Sequence, residues 1–546
     1  MPPRPLRVLR ASAVSLLVFL FSRPVLASSG ASYYVDFSAG ADTNPGTAAA
    51  PFQHCPGDDN ATSAAADTTL AAGDTVIFKG GVTYAGAINC RCDGVDYDGN
   101  SAGAFGAGRA VISGENRATS SKGFTAEGRS DLAFRNLELT RFGGHGSDPW
   151  TGTESRGRYG YALYLDGCSR VTVRNCLFRD IGDWQNVANA NEGYMEGVGI
   201  AVIDNGDAIT LGGNEFTRIG RAGIMIEPKQ GTQICTDIAI TGNEFHDSIR
   251  WGVWLATGNT RCTLNGVTID GNRFHDIHQY DVNDWVGRPG DAPHVDSIIA
   301  YIGSIPPQDG QSLGTAAHPI IVRNNLFYNN ATVARVQNSA VFLTSWGGRV
   351  LIYNNVFINT LFNGNGAIFC LEGTDPAVNP APDYWIFNNS FYDTTYAVTL
   401  ESERYPLRHG EVHVLNNIFD KPDAGAGYSV RVMDAASVPT QLDYDLYYTG
   451  RPDGQLAFTP AGAATLAELQ SQGCELHGRQ AYPRYADTAF GLGARSSSND
   501  LHMTVGSPAI GAGLNLSALA TADGDGTARP AAPTAWDDGA FAGPNR

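Results

Sequence analysis

Lys229 stands two residues after Glu227 and 21 before Arg250, in a chain whose only lysines are at 79, 122, 229 and 421. β-Elimination at a uronic acid needs a base for the C5 proton and cations against the neighbouring carboxylate. If one structural repeat separates Lys229 from Arg250, the two lie side by side and supply base and stabiliser. A second chemistry comes from carboxylates. Asp166, Asp204, Glu227, Glu372, Glu401 and Asp434 fall at one point of a recurring pattern, shared with Ala256, Tyr301 and Thr344. Like charges stacked at strand spacing, about 4.8 Å, repel unless a cation, a proton or a basic group intervenes. Asp204 and Glu227 are therefore candidate calcium ligands, and Asp204 with Glu227, or Glu372 with Glu401, a candidate carboxylate pair for glycoside hydrolysis. His294 and Asp296, two apart, face one way along a strand and make an oriented general base or a substrate-binding pair.

Around these groups lie residues suited to holding a sugar. Arg221 and Arg250 each stand two positions before a glycine that opens a strand, and Trp254 follows in the second of those strands. Trp150, Tyr159, Tyr161, Trp184, Tyr194, Tyr280 and Trp285 cluster in or beside three long insertions, 141–161, 180–197 and 276–293. Flat rings with polar edges stack on the apolar faces of sugars, so Trp184, Trp285 and Tyr301 join Arg221 and Trp254 as candidate substrate-binding residues. A further insertion, 303–318, would wall the opposite side of a groove fitted to an extended polymer.

The elements that must position them repeat. Asn, one residue, then Phe recurs as Asn214/Phe216, Asn243/Phe245, Asn272/Phe274, Asn325/Phe327, Asn355/Phe357, Asn389/Phe391 and Asn417/Phe419, with Asn175 to Phe178 as a degenerate copy. Alternating runs such as Val267-Thr-Ile269 precede the mark, and runs such as Gly252-Val-Trp-Leu255 follow it. The pattern indicates two short strands per unit. Strands this short bury a core only by stacking unit on unit. The expected fold is all-β, a parallel β-helix of about ten coils with its long loops on one side. In it Asn occupies the sharp corner, tolerating left-handed backbone and bonding to the Asn of the next coil, while Phe fills the bore.

These features resemble the secreted right-handed parallel β-helix proteins of the pectate lyase-like superfamily. Tyr33-Tyr-Val-Asp36 with Asp42-Thr-Asn-Pro-Gly-Thr47 is similar to their opening segment, the Asn-x-Phe coils to their body, and Gly506-Ser-Pro-Ala-Ile510 with Asp538-Gly-Ala-Phe541 to their closing segment. The resemblance implies a polysaccharide or oligosaccharide partner and leaves the reaction open among lyase, glycoside hydrolase and non-catalytic glycan binding. The Lys229-to-Arg250 spacing resembles that of β-helix alginate and chondroitin lyases. Here, however, Trp251 stands where those families carry a histidine, and of their upstream calcium ligands only Glu227 is evident. The His294-Val-Asp296 sequence is similar to the pair that opens this strand in related proteins.

Composition bounds the alternatives. The chain has 546 residues, 65 of them glycine, only 17% charged, and a formal net charge of −18. No Lys/Arg-dense tract offers a footprint for nucleic acid. Arg4, Arg7 and Arg10, the apolar run 11–21 and Val25-Leu-Ala27 read as a signal peptide cleaved after Ala27, so export is expected, with no membrane insertion. The expected organisation is a leader (1–27), a cap with first coils (28–130), central coils carrying the groove (131–435) and closing coils (436–546). Nine cysteines in an exported chain read as disulfide staples, with Cys235 and Cys262 one repeat apart and able to bridge stacked turns.

Overall fold

The computed structural model describes residues 30–114, 121–143, 160–182, 197–229, 231–247, 250–257, 262–277, 295–302, 312–328, 338–344, 348–358, 366–372, 382–402, 411–421, 427–486 and 500–544. The expected leader lies outside them. The chain winds as a solenoid with three long sheets of 15, 13 and 13 strands. Each coil contributes one strand to each sheet, three rather than the two legible in the sequence. One coil runs Trp251–Thr257 in what we term the front sheet, Thr268–Asp270 in the flank sheet and Arg273–His275 in the third. The strand that escaped the sequence pattern is the Asn-x-Phe mark itself: Phe274 lies inside the short strand Arg273–His275.

Pairing between coils is parallel, so every side chain meets its counterpart one coil on. Phe216 pairs with Phe245, Phe245 with Phe274 and Phe274 with Phe327, and the rings stack with centroids 4.7, 4.7 and 5.0 Å apart. All four are fully buried in the bore. Beside this stack runs a ladder of buried amides. Asn272 donates its Nδ2 to Asn325 Oδ1 at 3.0 Å, and Asn325 donates in turn to Asn355 Oδ1 at 3.0 Å and to the Ile269 carbonyl at 2.9 Å. Each Oδ1 also accepts the backbone N–H of the preceding ladder residue, as Asn325 does from Asn272 at 2.9 Å. The ladder ends on Asp445, whose Oδ1 accepts from Asn417, and burial pushes the carboxyl pKa of Asp445 and of neighbouring Glu475 upward.

The expectation gave one asparagine two tasks, and the structure divides them. The left-handed corner belongs to the residue before the ladder position: Gly242, Gly271, Asn324, Asn354, Asn388 and Asn416 have φ between 54° and 66°. Asn175, with φ 52°, is such a corner residue, and its ladder position is held by Cys176, whose N–H donates to Asn214 Oδ1.

Disulfide staples are corrected as well. No disulfide joins the nine cysteines, most of which are buried. Cys235 pairs in register with Leu264, two residues past Cys262. Residues 500–544 pack against the outside of the last coils, where Arg529 donates to the Gly539 carbonyl at 2.9 Å and Asn388 to the Asp537 carbonyl at 2.7 Å.

Replacing Asn325 with Ala leaves the Asn272 backbone N–H without its acceptor in a dry interior and removes the amide bonds to Asn355 and the Ile269 carbonyl. We expect a loss of about 2 kcal/mol or more in unfolding free energy by denaturant titration, at unchanged secondary structure by circular dichroism.

Candidate functional site

The front sheet presents its outward residues in three columns. In the middle column Ala201, Met225, Trp254, Ile299, Phe342 and Phe369 follow one another coil by coil and form an apolar cluster separate from the bore. The polar groups lie at the two ends of the strands, and the insertions expected to wall a groove leave and re-enter the sheet at those ends.

At the C-terminal ends the register reads Glu127, Asp166, Ile203, Glu227, with Ala256, Tyr301 and Thr344 following. Two members of the expected acid column are therefore displaced. Ile203, not Asp204, pairs with Asp166 and Glu227, and Leu371, not Glu372, pairs with Glu401. Because alternate residues of a strand face opposite ways, the one-residue offset removes Glu372 with Glu401 as a stacked acid pair. The side chains of Glu372 and Tyr301 lie outside the described residues. Asp434 leaves the column altogether, accepting from the Ser437 N–H at 3.0 Å just beyond the strand Val430–Val432.

Asp204 still reaches this rim. It turns out of the strand with φ 44°, and its Oδ1 accepts the Lys229 backbone N–H at 2.6 Å. Lys229 Nζ lies 3.4 Å from Glu227 Oε2. Two further residues, unseen in the sequence, complete the cluster. Lys122 places its ammonium 3.4 Å above the Tyr164 ring, and Tyr164 OH donates to Asp166 Oδ2 at 3.5 Å. Burial, and then the charges of Asp204 and Glu127, push the Asp166 pKa up, while burial and then Asp166 push Tyr164 to about 12. The Lys122 pKa is lowered by burial, with repulsion from Lys229 adding to it and Glu127 and Asp166 opposing it. Lys122 and Glu127 occupy the strand Ser121–Glu127, whose Ser-Lys-Gly-Phe-Thr-Ala-Glu sequence has no long apolar run to announce it.

Arg250 is not part of this cluster. Trp251 pairs with Ala222 and Leu255 with Ile226, so Arg250 precedes its strand while Lys229 follows the neighbouring one. The five steps from Trp251 to Ala256 alone span about 17 Å. Lys229 and Arg250 thus stand at opposite ends of the sheet and do not form a side-by-side cation pair.

Arg250 belongs with Arg221, Trp251, Trp254 and Asp296 at the N-terminal ends. Its guanidinium lies 4.3 Å over the Trp251 ring, and that of Arg221 lies 4.4 Å over Trp254. Trp254, expected to stack on sugar, is 6% exposed and covered by Arg221. Asp296 is fully buried, with Oδ1 accepting the Ser339 N–H at 2.8 Å and Oδ2 without a hydrogen bond. Burial raises its pKa well above the ordinary carboxylate range, and Ser339, Trp251 and the Arg250 charge, in that order, only partly offset that. His294, Trp150, Tyr159, Trp184, Tyr194, Tyr280 and Trp285 lie outside the described residues.

Residues 76–286 match the family described as the right handed beta helix region. The chain is a right-handed parallel β-helix. This β-helix is similar to a rhamnogalacturonan lyase (14% identity, TM-score 0.44, covering 66% of this chain and 82% of that one) and to the pectate lyase Pel9A (16%, 0.41, 95% and 99%). It is also similar to PfbA, a surface adhesin of Streptococcus pneumoniae (12%, 0.38, 72% and 80%). No curated protein matches it. No helix among the described residues of the β-helix is long and apolar enough to cross a membrane.

The buried Asp296 carries a pH prediction. Its carboxyl keeps its proton in the folded state to higher pH than in the unfolded chain, so the folded state binds the extra proton and stability falls as pH rises from about 4. In Asp296→Asn that part of the dependence is expected to vanish. Thermal unfolding of both proteins between pH 4 and 8 checks it, the difference between the two curves isolating this group.

Proposed function

We propose that this β-helix is an exported enzyme that cleaves a uronic-acid polysaccharide by β-elimination at the C-terminal rim of the front sheet. The carrying observation is the meeting there of Lys229 with Glu127, Asp166, Asp204 and Glu227, toward which Lys122 reaches from the N-terminal end of its strand across the Tyr164 ring. The other two lysines belong to the scaffold: Lys79 is bound to Asp36 at 2.6 Å, and Lys421 is buried against the Thr394 carbonyl at 2.9 Å.

In this reading Lys229, at the solvent edge of the pair, takes the C5 proton. The C4–O4 bond breaks as the C4=C5 bond forms, and the departing oxygen accepts a proton from Asp166, whose raised pKa lets it hold one. Lys122, held on the face of Tyr164, keeps a cation beside the developing charge. Carboxylates crowd this rim, and an all-carboxylate donor set suits a hard cation, so calcium fits it better than a transition metal. Asp204 and Glu227, flanked by Asp166, would hold it. Bound calcium would neutralise the substrate carboxylate.

A second reading, glycoside hydrolysis, has its own support in the same Asp166. A carboxyl whose pKa is raised beside other carboxylates is the pattern of an acid and base pair. Incubating the protein with uronate polysaccharides and calcium, while following reducing ends and the ultraviolet absorbance of unsaturated uronate, separates the two. Both signals are expected to rise. Lys229→Ala is expected to lower the rate about a hundredfold or more with the fold intact. Reducing ends without absorbance, or full activity in Lys229→Ala, overturns elimination, and loss in Asp166→Asn with hydrolytic product establishes the second reading.

A further inference from the structure

Away from the front sheet, the flank sheet carries a side-chain cluster that the proposed reaction does not use. The strands Pro382–Phe387 and Glu411–Leu415 are neighbours, with Asp383 opposite Glu411 and Trp385 opposite His413. Asp383, Glu411 and His413 each offer one ligand atom, and these atoms lie within 4.8 Å of one another. Three such residues on a surface do not make a site by themselves. The state of His413 adds an independent observation.

The His413 side chain is 7% exposed, and its Nδ1 lies 2.8 Å from Gln441 Oε1. That amide oxygen can only accept, so Nδ1–H donates to it and Nε2 is the ring nitrogen left for another partner. Nε2 is sealed from solvent, makes no hydrogen bond and points toward Glu411 Oε2 at 3.5 Å. A cation between Nε2 and the two carboxylates would give that buried nitrogen its partner. The ring is also held in place, stacked on Trp385 with centroids 3.8 Å apart. Asp383 is oriented by Trp385 Nε1 at 2.5 Å and by Arg349 at 2.9 Å. A histidine whose distal nitrogen is fixed by an amide oxygen, facing two carboxylates that are themselves positioned, has the supporting contacts that orient metal ligands.

We propose that Asp383, Glu411 and His413 bind a divalent transition metal, Zn2+ first among them, bridging two adjacent coils. One imidazole nitrogen with two carboxylate oxygens is a zinc-type donor set, whereas calcium takes oxygen ligands alone. Arg349 offsets one of the two negative charges, so the site carries a net charge of about −1 before a cation enters. Glu411 is the exposed ligand and the side from which the ion arrives.

The test uses the full chain, stripped with chelator, and Zn2+ alone, followed by calorimetric titration and thermal unfolding. One equivalent is expected to bind and to raise the unfolding temperature. Glu411→Gln, at an exposed position where folding is not at stake, is expected to weaken that equivalent tenfold or more, and His413→Ala to abolish it. Gln441→Ala, which frees the ring tautomer, is expected to weaken it to a lesser degree. Zn2+ binding of equal stoichiometry and affinity in Glu411→Gln overturns the proposal by placing the metal elsewhere, for instance on the free cysteines. Absence of Zn2+ binding, or preference for Ca2+ over Zn2+, overturns it as well.

Discussion

The buried amide ladder is the constraint on which everything else in this molecule depends. Short strands carry little pairing energy of their own, and a coil could slide by two residues along its neighbour while keeping the same side chains inside. A row of asparagines, each donating to the next and accepting from the last, tolerates no such slip, since every displaced rung would strand a donor or acceptor away from water. The phenylalanine stack beside it supplies the apolar burial. The ladder supplies the register.

Register in turn decides what the outer surface can do. Because coils pair in parallel, a choice made at the Asn-x-Phe corner is transmitted to the front sheet, where residues from successive coils stand in columns. Glu127 meets Asp166 in this way, and Asp204, just beyond Ile203, turns back to the rim where Lys229 lies. The same lock acts on the flank sheet, setting Asp383 opposite Glu411 and Trp385 opposite His413. The two rims of the front sheet have different electrostatic characters. One concentrates carboxylates and lysines, and the other stacks two guanidinium groups on two indoles over a buried carboxyl. An elongated ligand lying across the sheet would touch both.

The solenoid was legible from residues alone because its repeat is written in them. Asn and Phe recur with the spacing that stacking requires. The corner asparagines were harder to read. Where Asn324 and Asn325 are adjacent, nothing in the letters separates a residue chosen for left-handed backbone from one chosen for its amide. The separation becomes visible where glycine takes the first role, as at Gly271 before Asn272. Acidic residues near strand ends were legible as a class, and Lys229 and Glu227 do meet, because they are near in sequence.

The sequence by itself therefore determined the fold class, the inward Phe and Asn, and the concentration of acids on one sheet, all of them properties of local pattern. Only the tertiary structure decided which groups meet. Glu127 lies a hundred residues before Glu227, in a strand of weak pattern, yet the stacked coils bring both to one rim. Arg250 is far closer in sequence and is carried to the other end of the sheet. Periodicity measures distance around the helix, but position along a strand depends on where each corner turns. A one-residue difference in that turn exchanges the two faces, as Ile203 and Leu371 did with their acidic neighbours.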